Sequence, residues 1–182
     1  MSRQEELLDA ATDHVLEHGL IGLTLRPLAA ALGTSDRMLV YHFGSRDALV
    51  SAVVARATER AVATVAALPA APSVRSAVTR LWRAYQQPAL NACLTTYCQA
   101  AATGLIGQEP YRSVARASNA VWAEALRDYL VRSGAPVRRV ARIATLVDSA
   151  LYGFHLDLTT DRPDELDRGV EDLASAVQAL AG

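Results

Sequence analysis

An all-α fold is predicted: an N-terminal three-helix helix-turn-helix domain, then a larger helical domain, about nine helices in total. Three observations predict it. Apolar residues recur at helical spacing in almost every segment, and no strand-like alternation persists. Prolines fall near the expected helix starts and glycines near the ends. The stretch Gly22–Leu49 reads as two short helices joined by Gly33-Thr34-Ser35, with the second ending in Tyr41-His42-Phe43 before a Gly-Ser break.

The elements follow in order. Ser2-Arg3-Gln4-Glu5 is a capping box that opens helix one, and Gly19 closes it with Leu8, Ala11 and Val15 on the buried face. Thr24 caps helix two. Pro27 lies in that helix's first turn and has no N–H, so the Thr24 hydroxyl is expected to cap the Arg26 amide. Ala29-Ala30-Ala31 supplies small residues for a helix crossing, and Gly33 tolerates a left-handed turn. Ser35 caps helix three, and Leu32, Leu39 and Phe43 supply the buried anchors of the helix-turn-helix. Gly44-Ser45 ends helix three and caps helix four, which runs to Leu68. Pro69-Ala70-Ala71-Pro72 is the clearest boundary. Pro88, Gly104 with Gly107, Pro110, Gly134-Ala135-Pro136 and Asp161-Arg162-Pro163 divide the remainder into about five helices. The expected domains are 1–48 (helix-turn-helix), 49–68 (connecting helix) and 73–182 (second helical domain).

Composition narrows the class. With 51% hydrophobic and 20% charged residues among 182, the chain is globular. Its most apolar stretch, Ile143–Leu158, is interrupted by Asp148 and His155, and no N-terminal signal pattern is visible; no membrane span and a cytoplasmic location are expected. Cys93 and Cys98 fit neither a redox nor a zinc spacing and read as free thiols. No nucleophile–base pair, phosphate loop or metal spacing is present, so no catalytic residue, metal or cofactor is expected. The net charge of −1 argues nothing for nucleic acid, and every cation is arginine. Up to Arg60 there are six arginines against eight carboxylates, but Leu20–Arg60 holds five against three.

A helix-turn-helix offers the N-terminal end of its second helix to base edges. Ser35, Asp36, Arg37 and Met38 stand there. Arg37 suits a bidentate contact with guanine, while Asp36 suits cytosine or the orientation of Arg37. Thr24, Arg26, Tyr41, His42 and Arg46 lie at helix ends or the flank, where phosphate contacts fix register. The plain alternative is an αα-hairpin with Tyr-His-Phe as packing.

The N-terminal segment, from Met1 to about Val65, resembles the DNA-binding domain of TetR-family transcriptional regulators. The residues carrying the resemblance are Gly19, Gly22, Leu23-Thr24-Leu25-Arg26, Leu28-Ala29, Leu32-Gly33, Ser35, Leu39, Tyr41-His42-Phe43, Ser45-Arg46 and Leu49. The resemblance implies backbone contacts from Thr24, Arg26, Tyr41, His42 and Arg46, and operator-dependent reading by Asp36, Arg37 and Met38. Val40 replaces a common tyrosine, Arg37 a common small residue, and Pro27 is unusual. These departures bear on the operator sequence, not the class.

The resemblance also implies a ligand-responsive homodimeric repressor of a pseudo-palindromic double-stranded DNA operator. Its small-molecule effector would sit among the middle helices. Dimerisation is expected through 137–158 and 164–180. Val140, Ala144, Val147, Leu151, Phe154 and Leu158 form one seam, and Leu166, Val170, Leu173, Val177 and Leu180 another. Candidate effector contacts are Trp82, Tyr85, Gln86, Tyr97, Gln99, Trp122, Asp148, Tyr152 and His155, with Tyr111 among the same aromatics. The bland reading makes these aromatics core residues. From other classes come an all-α enzyme or carrier with a vestigial helix-turn-helix, and an activator of the same fold.

Overall fold

The computed structural model describes residues 2–182; Met1, the first residue of the N-terminal segment, lies outside them. The described residues form nine α-helices: α1 (Arg3–His18), α2 (Leu25–Ala31), α3 (Asp36–Phe43), α4 (Arg46–Ala66), α5 (Val74–Tyr85), α6 (Pro88–Leu105), α7 (Tyr111–Arg132), α8 (Val137–Asp157) and α9 (Pro163–Ala181). Among the described residues, no helix is long and apolar enough to cross a membrane. Two compact units emerge, and they do not follow chain order. One holds the residues up to Ala61 with Asn91–Val121; the other holds Val62–Leu90 with Trp122–Gly182.

Local chemistry sets the ends of the helices. Ser2 and Glu5 cap α1 reciprocally, as the capping box requires. Ser35 Oγ accepts from Met38 N at 3.2 Å, and Ser45 Oγ accepts from Ala48 N at 3.0 Å. The expected Thr24 cap is absent: its side chain makes no capping hydrogen bond. Pro27 occupies the third helical position and so removes the amide that an N-cap hydroxyl favours, and the Arg26 amide does not replace it.

In the first unit Ala11, Val15, Leu20, Leu28, Leu39, Leu49, Val50 and Val53 fill a core with Ala100, Tyr111 and Val114 from α6 and α7. Gly104 is where α6 and α7 touch: a Cβ there would lie 2.7 Å from Arg112 Cα. In the second unit the apolar face of α5 packs on α9, and α8 packs on both. Gly169 of α9 leaves room for the Phe154 ring, which a Cβ would meet at 2.9 Å.

That packing corrects the expected dimer seams. Val140, Ala144, Val147 and Leu151 of α8, with Leu166, Val170 and Val177 of α9, are buried within the chain itself. α5 presents a matching stripe of Val74, Val78, Leu81 and Trp82 and takes the surface assigned to a second copy. A different stripe is exposed: Ala141, Arg142, Thr145, Leu146 and Ser149 on α8, and Arg168, Asp172, Ser175, Ala176 and Ala179 on α9.

Candidate nucleic-acid interface and aromatic cluster

α3 buries one residue fully, Leu39, at 0% exposure. Asp36, Arg37, Met38, Val40 and Tyr41 are exposed, Tyr41 to 78%. A helix of eight residues that leaves a methionine, a valine and a tyrosine in water is presenting them. Asp36 Oδ1 accepts from the Arg37 backbone N–H at 2.9 Å, and the Arg37 guanidinium has no ion-pair partner among the described residues. The Thr24 hydroxyl, with no capping role, is exposed one residue before α2. His42 is half-buried against Tyr41, and its Nε2 is enclosed without a hydrogen-bond partner among the described residues.

Ion pairing sorts the six arginines of this segment. Arg3 pairs with Glu6, Arg46 with Asp47, and Arg56 with Asp9 and Glu59. Arg60 takes Asp9 and Asp13, the latter at 2.5 Å. Arg26 and Arg37 have no carboxylate partner among the described residues. The acids that made the segment negative therefore neutralise α4, and free positive charge is left on the exposed ends of α2 and α3. Phosphate contacts need such uncommitted cations.

Arg46 is placed otherwise. Its Nε donates to the Leu23 carbonyl at 2.9 Å and its Nη2 to the Tyr111 hydroxyl at 2.9 Å. Burial alone would lower its pKa, but the oxygens of Tyr111 and Asp47 outweigh burial and raise it.

The candidate effector residues fall into two sets. Tyr97 and Gln99 belong to the first unit. Gln99 Oε1 accepts from Leu20 N at 2.6 Å and Ile21 N at 3.2 Å. Tyr97 donates to Asn119 Oδ1 and lines an open groove of about 540 Å³ with Gly104, Leu105, Arg112 and Arg116. In the second unit Tyr85 is a hub, its ring centroid 6.0 Å from Trp122, 6.3 Å from Tyr152 and 6.5 Å from His155. Trp122 Nε1 donates to Asp148 Oδ1 at 2.7 Å. Burial raises the Asp148 pKa, partly offset by that indole bond, and burial lowers the His155 pKa. Both groups are thus pushed toward neutral forms, which can donate or accept inside an apolar site. Trp82 lies apart: its ring meets Phe154, and its Nε1 donates to Asp167 Oδ1 at 2.8 Å. Gln86 is an exposed C-cap of α5.

Sequence reasoning missed Asp167 as the Trp82 partner and the structural roles of Gln99 and Tyr111. No local signal marks them, because their partners lie 65 to 85 residues away in the chain.

Residues 7–53 match the family model for bacterial regulatory proteins of the tetR family. Among solved structures, a chain from Rhodococcus sp. assigned to the TetR-family transcriptional regulators superposes with a TM-score of 0.76 at 21% identity, covering 99% of this chain and 98% of that one. A TetR transcriptional regulator from Legionella pneumophila gives 0.71 at 17% identity, with 98% of each chain covered. The multidrug binding protein EbrR, complexed with proflavin, gives 0.72 at 22% identity, covering 97% of this chain and 99% of that one. At these identities the structural likeness shows the fold. No curated protein matches the chain.

Proposed function

We propose that this chain is a TetR-family regulator, a homodimeric repressor released from a pseudo-palindromic operator by a small molecule; the match of residues 7–53 and the likeness of fold support it. The observation that carries the reading is the pair of uncommitted arginines, Arg26 and Arg37, beside an α3 whose outer face is exposed. Arg37, with Asp36 and Met38, reads base edges in the major groove. Arg26, Thr24 and Tyr41 hold phosphates and set register. Two copies place their α3 helices about 34–36 Å apart, one turn of DNA.

Release follows from linkage: a ligand that binds better to the off-DNA spacing lowers operator affinity by that same coupling factor. The effector site we favour is the Tyr85–Trp122–Tyr152–His155 cluster with Asp148, which offers aromatic faces and two buried polar groups. EbrR takes proflavin, a planar aromatic molecule, and a ring of that kind suits these side chains.

Selection of bound fragments from a random duplex pool by the purified chain tests the reading. A two-fold symmetric motif is expected, with half-sites one helical turn apart. A pool that stays unenriched at low salt overturns it.

A further inference from the structure

We infer that Arg46, Tyr111 and Gln99 are positioning residues of the DNA-reading head. They hold the loop between α1 and α2 and touch no DNA. This rests on the DNA-binding reading above, and it assigns Arg46 a role other than the phosphate contact its position suggested.

The loop needs such help. After Gly19 the chain runs without helix to Thr24, yet Leu20 and Leu23 are buried at 0% and 7% exposure. Buried backbone amides and carbonyls require partners, and a loop this short supplies few of its own. Side chains from distant elements provide them. One oxygen of Gln99, on α6, accepts both the Leu20 and Ile21 amides. One nitrogen of Arg46, at the start of α4, donates to the Leu23 carbonyl. The Gln99 carboxamide also packs 3.4 Å from where a Gly19 Cβ would stand, so the turn is fixed sterically as well.

Arg46 is itself tied down. While Nε holds Leu23, Nη2 reaches Tyr111 and Nη1 reaches Asp47 at 3.1 Å. All three nitrogens are therefore committed, in three directions that only the planar guanidinium fork can serve. The Tyr111 ring lies in the core at 7% exposure, a rigid anchor from the first turn of α7. Three of its five N–H groups are thus spent on protein oxygens, which fix the plane of the guanidinium, whereas Arg26 and Arg37 have no carboxylate tie among the described residues. Thr24 follows the held carbonyl by one residue, so this loop sets where α2 begins. Movement of α6 or the start of α7 is passed through Gln99 or Tyr111 into the loop.

The test uses the full chain and its selected operator, with affinity measured across a range of potassium chloride. Arg46→Lys, Arg46→Gln, Tyr111→Phe and Gln99→Ala are compared with the parent after helical content and urea midpoint have been matched to folded protein. Arg46→Lys is expected to bind about ten-fold more weakly, like Arg46→Gln, because an ammonium cannot serve both Leu23 and Tyr111. Neither variant should change the slope of log affinity against log salt. Tyr111→Phe should weaken binding with the slope unchanged as well. Parental affinity in Arg46→Lys, a slope shallower by about 0.9 per half-site in Arg46→Gln, or parental affinity in Tyr111→Phe overturns the inference. Hydrogen exchange gives a readout independent of DNA. Gln99→Ala should speed exchange at Leu20 and Ile21 and leave α5 unchanged; equal protection in both proteins also overturns it. A parent that binds no DNA defeats the DNA-binding reading alone, and the exchange result still decides this one.

Discussion

Arg37 stands one residue inside α3 with its backbone N–H bonded to Asp36 and its guanidinium without an ion-pair partner among the described residues. Such a side chain gains from guanine what it lacks in the protein, and a bidentate contact is worth about 1–3 kcal/mol of discrimination. Arg37→Ala should therefore relax the selected motif at one position in each half-site and leave the other positions intact; fragment selection with the variant reads this directly. At the aromatic cluster around Tyr85, pH offers a second handle. His155 has its folded pKa below its ordinary value, so over that interval the unfolded chain binds a proton that the folded chain refuses. Stability through this group is complete above about pH 6.5 and falls as pH drops below it. Asp148 acts in the opposite sense, because its raised pKa lets the folded chain take the proton first on acidification. Melting temperatures at about pH 7.5 and about pH 5.5 should therefore differ less in His155→Phe than in the parent. An unchanged difference would mean that the imidazole is not held neutral.

The helices were legible because their signals are local. The Ser2–Glu5 box, the Ser35 and Ser45 caps and the left-handed Gly33 and Gly44 depend on neighbours within four residues, and all are present. The Thr24 cap failed by a local detail too, the amide missing at Pro27. What did not read out is partner choice. An apolar stripe states that it will be buried, but not against what: the stripes of α8 and α9 suit a second copy equally well, and the chain packs them on each other and on α5. The candidate effector set splits for the same reason: Tyr97 and Gln99 belong to the first unit, and the other candidates to the second. Two glycines separate packing from propensity. Gly104→Ala should cost about 1–3 kcal/mol in urea unfolding, since its Cβ meets α7 backbone at 2.7 Å. Gly153→Ala, mid-α8 with nothing within 4 Å, should gain about 0.5–1 kcal/mol. If both changed stability alike, the α6–α7 crossing would be misplaced.

For the whole molecule, the proposed function needs a second copy, because one reading helix spans too few base pairs and the other half-site requires its own. With the inner faces of α8 and α9 packed on each other and on α5, the outer stripe around Leu146, 40% exposed between Arg142 and Ser149, is where the proposed homodimer would meet its second copy. Leu146→Asp is expected to shift sedimentation toward monomer and to weaken binding to the full operator far more than to a half-site. A variant that sediments and binds like the parent would move the interface elsewhere. Charge at this scale misleads when summed: the chain is net −1, yet the acids of α1 answer the arginines of α4 and leave Arg26 and Arg37 unanswered. The most direct test compares a free arginine with a paired one. Operator affinity is measured across salt for the parent, Arg26→Gln and Arg56→Gln. The slope should fall by about 0.9 per half-site for Arg26→Gln and stay parental for Arg56→Gln, which answers Asp9. Equal changes in both, or no change at Arg26, would contradict the account.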